Sequence, residues 1–205
     1  MYRFYPASVI LISIYFYNAL AFTVNAQDKK YQTAIVEKVS GVPVYLFSEP
    51  LSQFTIVGKA EQNMEILLMD VYEFTTVSKK AEEMVKAARL RQKKGKLDDF
   101  DAILVDNEAS KSFAIAFPSD KIPKAKAQKI NGISVFFFSK PDNSYDVIAR
   151  LSSKSEEYEE NGLLTDKVSS MIKRTLRQVK AGKTAPFDGM IFNPDDLSAV
   201  AIKFK

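Results

Sequence analysis

The sequence predicts an α+β fold made of two tandem ββαββ repeats, mainly antiparallel sheet with one amphipathic helix per repeat. Three observations carry this. Residues 37–59 match 128–150 without a gap at an offset of 91, with six of 23 positions identical. Those six pairs are Lys38 and Lys129, Gly41 and Gly132, Val44 and Val135, Phe47 and Phe138, Ser48 and Ser139, and Pro50 and Pro141. After a length difference of four residues the match resumes at an offset of 87, from 77–118 to 164–205. Within each copy the apolar pattern runs strand, strand, helix, strand, strand. A period of roughly 90 residues is too long for a solenoid unit and suits a small domain.

The chain begins with a segment unlike the rest. Residues 1–26 carry one charge, Arg3, then an apolar run from Ala7 to Phe22, and end in Val24-Asn25-Ala26. This reads as a secretory signal peptide cleaved after Ala26. A membrane anchor is the competing reading, for which the run is short against the ~20 residues that cross a bilayer. The domain plan is therefore 1–26 signal peptide, 27–118 first repeat, 119–126 linker and 127–205 second repeat. The expected location is the periplasm or the extracellular space, with membrane contact only through the signal before cleavage.

Each copy then opens with a strand, 42–47 and 133–138, apolar on both faces and so expected to be buried on both. Ser48-Glu49-Pro50 and Ser139-Lys140-Pro141 read as turns, because proline presets φ and cannot donate to a ladder. The runs 54–57 and 145–148 are expected to return as second arms of hairpins. Leu164, Val168, Met171, Ile172, Leu176 and Val179 line one face of a helix, as do Val77, Ala81, Met84, Val85 and Ala88. Ser78 and Thr165 are the candidate N-caps, and Gly95 and Gly182 the helix stops. Third strands follow at 100–105 and 187–192. Last strands follow at 113–117 and 200–204, the final one with a solvated face marked by Lys203 and Lys205.

One helix per copy covers one sheet face. The second apolar face must be covered by the other copy, by lipid or by a partner. The copies differ most between strand and helix, where the first has the apolar stretch 64–72 and the second the acidic stretch 155–162. Ile66, Leu67, Leu68, Tyr72 and Tyr158 are accordingly the candidate partner-binding residues.

The composition excludes much chemistry. Histidine, cysteine and tryptophan are absent, which removes Ser-His-Asp and Cys-His catalysis and the usual zinc sites. No disulfide can form. Removing Arg3 from 29 basic residues leaves 28 against 25 acidic ones, too balanced for a dedicated nucleic-acid binder. Lys180-Ala181-Gly182-Lys183-Thr184 ends like a phosphate loop but follows a helix instead of opening one. Asp98, Asp99, Asp101, Asp188, Asp195 and Asp196 lack the spacing of a calcium loop and read as turn formers, with Asp101 and Asp188 accepting backbone N–H groups at strand entry. Glu156, Glu157, Glu159 and Glu160 form a charge run that cannot hold the fixed separation glycoside hydrolysis needs. Ser139-Lys140 is matched by Ser48-Glu49, so it is no Ser-Lys dyad. Tyr45, Phe54, Phe136 and Tyr145 could form a binding surface, but strand aromatics are more often core. No catalytic, cofactor or metal residue is assigned.

The Ser-x-Pro segments, helices ending in Lys-x-Gly-Lys, Phe-Asp-led strands and Ala-Ile-x-Phe finish together resemble a group of uncharacterised secreted bacterial proteins, over residues 33–205. A more distant likeness is to the small α/β domain of an envelope-stress sensor lipoprotein, whose cysteines this chain lacks. The resemblance implies an exported protein and attaches no activity. The expected function is non-enzymatic binding of a protein or cell-envelope component. The alternative is an envelope hydrolase or ligand-binding enzyme using carboxylates between the repeats.

Overall fold

In a computed structural model, which describes residues 31–60, 76–107, 111–118, 124–152 and 163–205, runs of strands interrupted by two helices make up a single compact unit from residue 31 to 205. In order these are β1 (Thr33–Val36), β2 (Lys38–Val39), β3 (Val42–Tyr45), β4 (Ser48–Pro50), β5 (Thr55–Lys59), α1 (Val77–Lys93), β6 (Ala102–Asp106) and β7 (Lys111–Ala116). There follow β8 (Lys124–Ala127), β9 (Lys129–Ile130), β10 (Ile133–Phe136), β11 (Ser139–Pro141), β12 (Tyr145–Leu151), α2 (Leu164–Lys180), β13 (Gly189–Phe192) and β14 (Ala199–Phe204). The class is α+β, with mostly antiparallel sheets.

The strands make two five-stranded sheets, ordered β2-β3-β6-β7-β5 and β9-β10-β13-β14-β12. A four-stranded sheet, β11-β1-β8-β4, draws strands from both halves of the chain. Among the described residues only β3 with β6 and β10 with β13 run parallel. Each of these pairs is joined through a helix, as parallel neighbours require a long crossover.

This order corrects the hairpin expectation. β5 does not return beside β3 but pairs with β7, just as β12 pairs with β14. Two-residue hairpins form instead before β3 and β10, where Ser40-Gly41 and Asn131-Gly132 all take positive φ. Paired positive φ is the two-residue turn whose twist matches the flanking strands. The Ser-x-Pro segments also differ from expectation, being the edge strands β4 and β11. Proline suits that place, since its missing N–H faces no neighbouring strand. Residues 124–126, expected in the linker, belong to β8.

β3 and β10 are buried along their whole length. One face of each sheet meets the helices, with Val42, Val44, Ile103, Val135 and Met190 in one core with Met84, Val85, Met171 and Ile172. On β7 and β14 that face carries Ala114, Ala199 and Ala201. The face of β14 expected to be solvated is thus buried at Ala199 and Ala201, and exposed only at Lys203 and Lys205. On the opposite face Tyr45, Ala102, Ile115, Phe136 and Ile202 pack with Ala34, Val36, Ala125 and Ala127 of the four-stranded sheet. The second faces of the central strands are therefore covered from within the chain.

The chain passes between sheets at Leu46-Phe47 and Phe137-Phe138. Leu46 bridges Phe137, the Glu37 N–H donates to the Phe138 carbonyl at 2.7 Å, and the Gln128 N–H donates to the Phe47 carbonyl at 2.9 Å. Phe47 and Phe138 have φ of 52° and 46°, a conformation costing a non-glycine residue about 1–2 kcal/mol. Their buried rings offset that cost. Phe137 lies 5.7 Å from Phe47, 5.8 Å from Phe138 and 5.7 Å from Phe192, stacked on the last at 13°.

Helix ends follow local chemistry. The N-cap of α1 is Thr76, whose hydroxyl accepts the Lys79 N–H at 3.1 Å, and not Ser78. In α2 the cap position is Leu163, with no side-chain bond, and Thr165 Oγ1 is buried without a partner. At the other ends Gly95 and Gly182 have φ of 64° and 68°. Lys96 N–H to Arg91 O with Gly95 N–H to Gln92 O, and Lys183 N–H to Gln178 O with Gly182 N–H to Val179 O, close both helices in the Schellman pattern.

Two stability outcomes are expected in urea titrations. Phe137→Ala will cost about 3–5 kcal/mol, as for buried aromatics generally. Thr76→Ala will cost about 1 kcal/mol, while Ser78→Ala will stay within about 0.5 kcal/mol; equal effects would place the cap wrongly.

Candidate functional site

Ile66, Leu67, Leu68, Tyr72 and Tyr158 lie outside the described residues, as does the acidic stretch 155–162. The other candidates sort by their surroundings. Asp101 Oδ2 accepts the Phe117 N–H at 2.8 Å and Asp188 Oδ2 the Phe204 N–H at 3.3 Å, each fastening a strand end. Asp196 Oδ1 accepts the Ser198 N–H at 2.8 Å, and the Ser198 hydroxyl, then this N–H, hold its carboxyl below the ordinary range. Gly182 ends a helix. Among the described residues no group of three acidic side chains could hold a metal ion.

The four strand aromatics divide. Tyr45 and Phe136 are fully buried, whereas Phe54 is 37% exposed and Tyr145 half-buried. Phe54, just before β5, and Ile56 within it are exposed because of where β5 lies. It is an edge strand, and its register shifts between Ile56 and Gly58 in a bulge.

Phe54 and Ile56 line a groove of about 510 Å³ between the free edge of β4 and the sheet β2-β3-β6-β7-β5. Pro50, Leu104, Val105 and Phe113 give it an apolar floor, and Ser48, Glu49, Asp106, Asn107 and Gln128 a polar side. Asn107 Nδ2 donates to Gln128 Oε1 at 3.4 Å, a long bond, while Asn107 Oδ1 and the buried Ser48 Oγ have no partner. Among the described residues the lining contains carboxylates and no lysine or arginine. Such a site can hold an apolar body and offer acceptors to a donor.

No family model, curated protein or solved structure matches the chain. The site must be read from its own chemistry. Among the described residues no helix is long and apolar enough to cross a membrane.

At the positions related by the offsets of 91 and 87, the groove residues change character. Glu49 becomes Lys140, Asp106 becomes Asn193, Asn107 becomes Pro194 and Gln128 is matched by Glu37. Lys140 Nζ lies 2.7 Å from Glu37 Oε1, and this hydrogen bond, then the Glu37 charge, raises the lysine's pKa. The pair is exposed and contributes little to stability.

Tyr45 supplies a pH test beside the groove. Its hydroxyl is buried without a partner, and burial pushes its pKa up to about 12 from 10. The unfolded chain loses this proton above pH 10 while the folded chain keeps it, so stability falls as pH rises from about 10 to 12. Tyr45→Phe, which copies Phe136, is expected to be neutral or stabilising at pH 7 and to lessen that alkaline loss, read by thermal melts across pH 8–12.

Proposed function

We propose that the chain is an exported, internally duplicated protein without catalytic machinery that binds a protein or cell-envelope component. Export rests on the signal-like segment 1–26. Duplication, as two copies of a ββαββ unit with added short strands, is supported by the like strand orders β2-β3-β6-β7-β5 and β9-β10-β13-β14-β12. The bulges in β5 and β12, between Ile56 and Gly58 and between Val147 and Ala149, fall at matching positions.

The observation that carries the binding reading is the groove beside β4 and β5. Its walls combine an exposed aromatic and aliphatic pair with unpartnered polar atoms. Residue types that combine apolar contact with a few fixed polar groups are those of a binding site. Ile56 at 54% and Val147 at 49% exposure add apolar surface at the two outer edge strands.

The direct test immobilises the chain and passes an envelope fraction over it. Recovery of one partner in stoichiometric amount is expected, and Ile56→Lys with Phe54→Ser should reduce it. A chain that retains nothing but cleaves members of a glycan or peptide panel would overturn the reading in favour of a hydrolase.

A further inference from the structure

We infer that the groove between β4 and β5 receives an extended peptide segment of a partner protein in which cationic and aliphatic side chains alternate, an inference that rests on the binding reading above. Four features of the site carry it.

The first is charge. Glu49 lines the groove with no basic side chain among the described lining residues. Glu49 forms no ion pair among the described residues. Lys126, opposite it on β8, has its ammonium 5.5 Å from the Tyr31 ring centre. The second is unmet hydrogen bonding. Ser48 is 4% exposed and its Oγ has no partner, and neither has Asn107 Oδ1. A buried polar atom left unpaired costs about 1–3 kcal/mol, which a donor arriving with a ligand relieves. Ser139 is equally unpartnered, but Pro194 stands where Asn107 would be, so the acceptor set belongs to this half alone.

The third feature is an open strand edge. Leu51 N–H donates to Lys124 O and Gln128 N–H to Phe47 O, so the ladder alternation turns the backbone groups of Phe47, Glu49 and Leu51 toward β8. Those of Ser48 and Pro50 then point to the free edge along the groove. An added strand can pair there, for only a short distance because Pro50 has no N–H. The fourth is the apolar wall of Phe54, Ile56, Leu104 and Phe113. A strand's side chains alternate between faces, so one bound strand sets aliphatic groups on that wall and ammonium groups toward Glu49 on the other side.

The probe is a short fluorescent peptide alternating lysine and leucine, with glutamate–leucine and lysine–serine peptides as controls, read by anisotropy against the whole chain. Binding of the lysine–leucine peptide alone is expected. Glu49→Lys, which copies Lys140, should weaken it about tenfold, and Glu49→Gln by less; unchanged thermal melts establish that both variants fold. Equal binding of the glutamate–leucine peptide, or indifference to Glu49→Lys, overturns the inference. So does an envelope partner captured equally by the parent chain and Glu49→Lys, an outcome that leaves the general binding function standing. If neither peptide nor envelope partner binds, both readings fall.

Discussion

Ala34 and Ala125 face each other in the middle of the four-stranded sheet, and because each carries only a methyl group, large residues from both five-stranded sheets can pack over them. Tyr45 and Ile115 come from one side, Phe136 and Ile202 from the other. A larger side chain here would force the layers apart at close-packed density. The neighbouring Val36 and Ala127 continue the same floor. Alanine at these points is therefore a spacing requirement, and the apolar faces of both large sheets are covered as its consequence.

Sharing a sheet demands that the chain leave one sheet and enter another within two residues. The left-handed backbone at Phe47 and Phe138 makes that bend. Glycine would adopt the angle more cheaply, but it would bring no ring to the cluster around Phe137 and Phe192. Burial and strain are thus supplied by the same residue. The carbonyls of these two phenylalanines then accept the N–H groups of Gln128 and Glu37, each from the opposite half of the chain. With the second faces covered internally, the β4 to β5 groove and the outer edge strands are among the places where the described residues expose apolar surface.

Much of the scaffold was legible in the sequence because long elements carry strong periods. Both helices, their glycine stops and the four long strands of each half follow from apolar spacing and φ preference. The short strands were not. β2 and β9 have two residues each and no period to detect, although Asn131-Gly132 is a hairpin signal in its own right. β8 is Lys124-Ala125-Lys126-Ala127, whose small and charged residues read as linker, because strand character there comes from partners far away in sequence. Ser-x-Pro read as a turn for the same reason: proline's local preference is equally met at a sheet edge, and only β8 and β1 reveal the difference.

The groove was harder still. Phe54 and Ile56 alternate as any half-buried strand would, and their exposure depends on β5 lying at an edge, which no local pattern announces. Asn107 and Ser48 become neighbours of one cavity only after β4 has crossed to the shared sheet. The expected binding residues were drawn from the divergent stretches, whereas the groove that can be described lies at the boundary between shared and five-stranded sheets.

The four-stranded sheet binds the two halves into one cooperative unit. Native-state amide hydrogen exchange of the whole chain in rising urea measures this directly, by comparing Val44 and Ile103 with Val135 and Met190. The expected result is one common opening free energy for all four amides, converging on the global unfolding value. Loss of protection at one pair while the other stays protected would show that the halves open independently, and would contradict the account.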